Sequence, residues 1–268
     1  MAAIGEQLAE LTMAVRQSAK YKSLPPALVQ AIGAQELARR RNLKEAVKAT
    51  KNRLHQMAGA YQVGKLDYAG WLHHLQATAG EQSAVRKVCS EILLHHASTR
   101  ERLPILDEFY ATLLTGLPRL TSVLDLACGL NPLTVPWMGL PEGVAYFACD
   151  IYQDQIDFLN QALPLLGVHG TAQVCDLLAD CPTQAVDVAF LFKTIPCLEQ
   201  ADKTIGRRLL DQIQAPILLI SFPAQSLGGH NKGMMVNYEE HFQALVAGTP
   251  WRIERFAFKT ELVFRVMK

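Results

Sequence analysis

Apolar residues in the first hundred positions recur at three- and four-residue intervals, the period of helices that bury one side. No convincing strand interrupts them. An opening helix is predicted over about 4–20, where Ile4, Leu8, Leu11, Met13 and Val15 precede a basic cluster, Lys20-Tyr21-Lys22. Ser23-Leu24-Pro25-Pro26 starts a second helix reaching about Arg40, because proline is tolerated in a first turn. A third helix is predicted from about Asn42 to Ala60, with Leu43, Val47, Thr50 and Leu54 as its inner stripe. Tyr61 to Gly80 holds Trp71, His73 and His74; the histidines read as surface or packing residues, since no partner stands at metal-ligand spacing. A further helix from about Glu81 carries Val85, Val88 and Ile92 and runs into His95-His96-Ala97-Ser98-Thr99-Arg100-Glu101-Arg102, a segment rich in anion-binding groups.

From residue 105 the pattern alternates. Helix 105–116 precedes strand 121–127, helix 132–139, strand 143–149, helix 153–163, strand 170–175 and strand 186–192. Helix 198–213, strand 216–221, helix 238–247 and strands 251–258 and 261–267 follow. Such alternation predicts an α/β fold with a mainly parallel, seven-stranded, Rossmann-like sheet and right-handed crossovers, its last two strands forming an antiparallel edge. The expected organisation is a helical domain over 1–104 and a sheet domain over 105–268.

The most informative stretch is Ser122-Val123-Leu124-Asp125-Leu126-Ala127-Cys128-Gly129-Leu130-Asn131-Pro132. A buried strand runs into a small-residue turn, Gly129 lets backbone approach a ligand, and Asn131-Pro132 suits a helix start. Asp150 ends the next strand, where an acid suits a ribose with free hydroxyls. The pattern G-x-G-x-x-G is missing, and so is a Walker loop, so nothing here cradles a pyrophosphate. A nucleoside cofactor without phosphates, S-adenosylmethionine, fits, which makes a class I methyltransferase the leading expectation. Asp176-Leu177 stands where an acid could accept from the adenine amine while leucine packs on its ring. Phe192-Lys193-Thr194-Ile195-Pro196 ends the next strand at the face of methyl transfer. It lacks the Asn/Asp-Pro-Pro-Tyr/Phe signature that grips an exocyclic amine, which disfavours adenine N6 as the target. The stretch Ser221 to Met234, with three glycines and a lysine, is a candidate substrate clamp.

Composition narrows the picture further. The chain has 268 residues, half of them hydrophobic, enough for a substantial core. It shows no apolar run near a membrane span and no signal-peptide pattern, so a cytoplasmic protein is expected. Its six cysteines form no C-x-x-C pair, which argues against both a disulfide framework and a zinc site. The net charge of +1 hides an asymmetry: residues 1–60 hold ten Lys/Arg against four Asp/Glu, and the remainder sixteen against twenty-one. Arg40, Lys44, Lys48 and Lys51 follow helical spacing, beside Arg39, Arg41 and Arg53. A basic module on an acidic one points to a polyanionic partner.

Four motifs in order give this sequence a family resemblance: Lys20-Tyr21-Lys22, His96 to Arg102, Val123 to Leu133, and Ser221 to Met234. It resembles the aminoglycoside-resistance methyltransferases that act on guanine N7 at nucleotide 1405 of 16S rRNA. The resemblance spans nearly the whole chain. It implies a cofactor site of His96, Arg102, Asp125, Ala127, Gly129, Asp150, Ile151, Asp176, Leu177 and Phe192. Within it, Arg102 would hold the cofactor carboxylate with His96 nearby, Gly129 would approach the methionine moiety, and Asp150 would bind the ribose. Lys232 and Met234 would position a flipped guanosine with no general base. Lys20, Lys22, Arg40, Lys44, Lys48, Lys51, Arg53 and His230 would dock on 16S rRNA in the 30S subunit. His230 departs from the family, where arginine is usual. No metal and no membrane are implied. Two rivals are a methyltransferase for another RNA position or a small molecule, and a non-catalytic RNA-binding protein on this fold. A small-molecule enzyme would not need the basic module, and intact Asp125, Gly129, Asp150 and Asp176 argue against loss of the cofactor.

Overall fold

A computed structural model describes residues 2–78, 80–224 and 233–268. Seven strands form one sheet: β1 (Ser122–Leu126), β2 (Ala145–Asp150), β3 (His169–Val174), β4 (Val188–Phe192), β5 (Ile217–Pro223), β6 (Arg252–Ala257) and β7 (Glu261–Met267), in the order β3-β2-β1-β4-β5-β7-β6. The first five run parallel, and β7 is antiparallel to both β5 and β6. The order reverses between β1 and β4, which opens a crevice at their carboxyl ends. Strands β1 and β4 are almost wholly buried, as expected for parallel strands covered on both faces.

Before the sheet come α1 (Ala2–Arg16), α2 (Pro26–Arg39), α3 (Leu43–Leu54), α4 (Tyr68–Ala77), α5 (Gln82–Leu93), α6 (Ala97–Arg102) and α7 (Leu106–Leu114). Asn42 caps α3, accepting from the Glu45 amide at 2.9 Å. A π-helical turn, His55–Gly59, extends that helix. Helices α1–α3 close on one apolar cluster that includes Leu11, Leu28, Ile32, Ala46 and Leu54, and it reaches across to Tyr152 after β2. Helices α4 and α5 bury Trp71, Leu75, Val85 and Ile92 in a different cluster, with Phe109 of α7 and the strand residues Val123 and Tyr146. The cation stripe is shorter than its spacing suggests. Arg40 is the extended residue that ends α2, with φ −109° and ψ 153°, so it does not share the face of α3.

The predicted helix from Glu81 to Arg102 is interrupted. After α5 the chain turns extended at His96 and pairs with Gln62; the Ala97 amide donates to the Tyr61 carbonyl at 2.7 Å. The helix expected over 132–139 is a 3₁₀ turn, Asn131–Thr134, followed by the short α8 (Val135–Met138). Between β2 and β3 lies α9 (Gln153–Ala162). The helix expected over 198–213 is two, α10 (Ile195–Leu198) and α11 (Ile205–Gln212). Asp202 divides them by accepting from the Thr204 amide at 2.9 Å and hydroxyl at 2.7 Å, a local turn that competes with helix. The last helix, α12 (Met234–Val246), starts four residues before the expected 238, so Met234 belongs to a helix and not to the preceding connection.

Candidate active site

A pocket opens at the carboxyl ends of the four strands around the crevice. Asp125, Ala127 and Cys128 line it from β1, Asp150 to Tyr152 from β2, Cys175 to Leu177 from β3, and Phe192 to Thr194 from β4. Its remaining walls include His96, Ser98 and Arg102 from the α6 segment, Leu28 and Met57 from the N-terminal helices, and Tyr61 from the turn that follows them. Nine of the ten residues expected to bind cofactor line this pocket: His96, Arg102, Asp125, Ala127, Asp150, Ile151, Asp176, Leu177 and Phe192. Gly129 forms its turn.

The turn after β1 is held by two acids. The Asp150 carboxylate accepts from the Gly129 amide at 2.8 Å and the Ile151 amide at 2.7 Å. Burial pushes its pKa up and these amides restrain the rise. Asp125 accepts from the Tyr146 hydroxyl at 2.7 Å and Asn131 Nδ2 at 2.9 Å, both on one oxygen. Burial nonetheless raises it to about 7. Gly129 sits at φ 52°, and a Cβ there would stand 2.7 Å from His96 Nε2. The glycine is therefore required by the imidazole that packs on it as well as by the turn. Ala127 (φ 50°) and Lys193 (φ 56°) are the non-glycine residues with positive φ among the described residues, and both face this pocket. Strain of this kind gathers at functional sites.

Arg102 is fully buried, with its guanidinium stacked between Phe109 and Phe192 at 4.8 and 4.5 Å. Its Nε and Nη2 donate to the two Glu261 oxygens at 2.7 and 2.9 Å, and Nη1 donates to Asn131 Oδ1 at 2.6 Å. Of the five N–H groups of a guanidinium, three are thus used among the described residues and two remain for a ligand. Burial works against ionised Glu261, but Arg102 and then Lys193 hold its pKa below the usual carboxylate range. His96 stacks on Tyr61 with centroids 5.8 Å apart, and among the described residues its buried Nδ1 has no hydrogen-bond partner. Burial, then Lys193 and Arg102, push the imidazole down to about 3, so it is neutral at physiological pH. Asp176 accepts from the Leu178 amide at 3.0 Å, and its pKa is raised by burial.

Tyr146 and Glu261 have no role in the sequence reading, which took Asn131 only as a helix start and placed Lys193 at the face of methyl transfer without a partner. Lys193 carried a signal, a cation ending an entirely apolar strand. Glu261 carried none, since its partner lies 159 residues away.

The basic residues divide by environment. Lys44 and Lys48 are exposed on α3, and among the described residues neither has an ion-pair or hydrogen-bond partner; Lys22 is exposed as well. Arg40 and Arg53 both pair with buried Glu36, at 3.0 and 3.2 Å. Lys51 donates to Ser18 Oγ at 2.8 Å. Lys20 lies against Gly59 and meets His55 Nδ1 at 2.9 Å. Lys232 and His230 lie outside the described residues. Met234 is half-buried in the first turn of α12, two residues before Val236, which is 59% exposed.

A doubly wound sheet with an antiparallel last strand, and a pocket that offers carboxylates to a nucleoside but no pyrophosphate cradle, together define a class I methyltransferase. The model of the ribosomal RNA methyltransferase family FmrO matches residues 17–265, and the chain belongs to that family. It is 38% identical over 267 residues to a 16S rRNA (guanine(1405)-N(7))-methyltransferase of Micromonospora rosea, covering 98% of this chain and 97% of the relative. It is 39% identical over 259 residues to a protein of the same description from Frankia casuarinae, covering 95% and 91%. Among solved structures it resembles the 16S rRNA methyltransferase RmtF in complex with S-adenosyl-L-homocysteine, with TM-score 0.81, 32% identity and 98% of each chain covered.

Proposed function

We propose that this protein transfers a methyl group from S-adenosylmethionine to N7 of guanosine 1405 in 16S rRNA within the assembled 30S subunit, and so confers aminoglycoside resistance. The observation that carries the proposal is the converging pocket itself. It presents acids from β2 and β3, a buried arginine with two spare N–H groups, and the orphaned Nδ1 of His96. These suit, in turn, a ribose, an adenine amine and an amino-acid end group, so the residues present fit the cofactor.

The cofactor supplies an electrophilic methyl group. The residues of the chain have positioning to do. Asp150 keeps lone pairs for two hydroxyls beyond the two amides it accepts. Asp176 and Leu177 hold the adenine, and Arg102 with His96 the carboxylate end. Guanine N7 presents a free lone pair, so attack on the methyl carbon moves no proton: the N7–C bond forms as the S–C bond breaks, and the positive charge passes to the purine. Catalysis then rests on orientation and on extruding the base from its stack. Lys232 and Met234, ahead of and at the start of α12, would steady the extruded base. Lys44, Lys48 and Lys22 would meet phosphates, as recognition of folded RNA requires. Such a protein works where ribosomes are, in the cytoplasm.

The test is label transfer from methyl-labelled cofactor to 30S subunits, 50S subunits and free 16S rRNA. Label is expected on 30S subunits at a rate at least about tenfold above the other two. Equal labelling of free RNA would refute the requirement for an assembled subunit.

A further inference from the structure

We propose that Lys193 identifies the target base, its ammonium donating a hydrogen bond to O6 of guanine, next to the N7 that receives the methyl group. The inference rests on the methyltransferase reading above and names the residue that selects its substrate.

Lys193 follows β4, all five of whose residues are buried. It is itself only 4% exposed, and a buried ammonium is costly unless it is paired. It is paired: Nζ donates to Glu101 Oε2 at 2.6 Å and lies 3.5 Å from Glu261 Oε1. An ammonium carries three N–H groups, so among the described residues its two carboxylate neighbours leave at least one for a ligand. The backbone is held at φ 56° by the amide, which donates to the Ser221 carbonyl at 3.0 Å and hydroxyl at 3.1 Å. A non-glycine residue kept in that region, with its charged side chain folded inside, is strained for a reason.

No cofactor duty falls on this lysine. The nucleoside end is served by β2 and β3, and the amino-acid end by Arg102 and His96. Lys193 lines the pocket from β4, the neighbour of β1 across the crevice, where the transferred group must lie. Enzymes that methylate exocyclic amines place Asn or Asp before Pro-Pro at this strand end, an acceptor for an N–H group. Here the residue at the strand end is a donor, followed by Thr194-Ile195-Pro196. A donor selects an acceptor. The acceptor beside N7 of guanine is O6; adenine presents an amino group there, which would face the ammonium donor to donor. Glu101 and Glu261 offset the charges of Lys193 and Arg102, two against two, so the positive charge that develops on the purine meets no unbalanced cation.

The experiment is single-turnover methylation of 30S subunits with labelled S-adenosylmethionine, alongside cofactor and 30S affinities. Lys193→Met is expected to slow methylation at least about a hundredfold, as when a site built to bond a polar group loses its partner. Lys193→Arg should stay within about tenfold of wild type, and both variants should bind cofactor and subunits within about threefold. Wild-type enzyme should modify subunits carrying adenosine at 1405 at least about a hundredfold more slowly than normal ones. Three results would overturn the proposal: Lys193→Met at the wild-type rate, a parallel fall in its cofactor affinity, or equal rates on both kinds of subunit. If Lys193→Met does not fold, Glu101→Gln decides, since it keeps the lysine but releases it. A tenfold or greater loss of rate with cofactor affinity intact supports the proposal, and a wild-type rate refutes it. Wild-type enzyme that leaves normal 30S subunits unmethylated would refute the functional reading itself, a distinguishable failure.

Discussion

Asp125 and Asp150 look alike in the sequence, each an acid in an apolar strand, but their surroundings set them apart. Asp125 bonds only to side chains, Asn131 and Tyr146, and burial raises it to about 7. An acid with a raised folded-state pKa binds its proton more tightly folded than unfolded. Its contribution therefore favours folding below about pH 4 and is lost as pH rises from there to about 7. A shift of about three units corresponds to roughly 4 kcal/mol at most. Asp125→Asn keeps an oxygen for both donors and removes the titration. Stability followed by chemical denaturation should lose most of its decline between about pH 4 and 7; an unchanged pH profile would show that another group carries it. Asp150 bonds to the amides of Gly129 and Ile151, so its loss opens the turn and, on the proposed function, would remove the ribose contacts as well. Asp150→Ala should weaken S-adenosylmethionine binding by about 1–3 kcal/mol in calorimetry, and unchanged affinity would end its assignment.

Helix α3 shows what periodicity can and cannot say. Spacing put four cations on one stripe, but spacing does not reveal which charges are already used. Arg53 and Arg40 are spent on Glu36, and Lys51 on Ser18, while Lys44 and Lys48 face solvent. Each of those two that meets a phosphate should lower the magnitude of the log affinity–log salt slope for 30S binding by about 0.7–0.9 when changed to alanine. An unchanged slope in the double variant would make α3 a solvated face only. At α12, Met234 sits in the first turn, so its backbone is fixed by a helix. Met234→Ala should cut the methylation rate strongly while 30S affinity changes by less than about tenfold, roughly 1.4 kcal/mol; wild-type turnover would place the base grip elsewhere. The central strands β1, β4 and β5 were legible because each is a short, mostly apolar run whose end is marked by a turn. The breaks at His96 and Asp202 were not, because a cross-chain bridge to Gln62 makes one and a side-chain turn the other. Likewise Glu261 gives no local hint that it neutralises Arg102.

At the scale of the molecule, two modules of opposite charge share one pocket. The first sixty residues carry a balance of +6 from ten cations and four acids, and they supply Leu28 and Met57 to the wall of the pocket. On the proposed function, RNA docking and cofactor binding would meet at the same cavity. Both the charge division and the sheet could be read from composition and periodicity; the shared wall could not, since it joins helices to strand ends more than sixty residues away. The central claim is that this cavity methylates one purine nitrogen in one ribosomal particle. Its most direct test is to incubate 30S subunits with the protein and S-adenosylmethionine, reduce and cleave at N7-methylguanosine, and map the ends by primer extension. A single strong stop reporting N7 methylation of nucleotide 1405, absent without the cofactor, is the predicted result. A stop at any other nucleotide, or none with label incorporated, would contradict it.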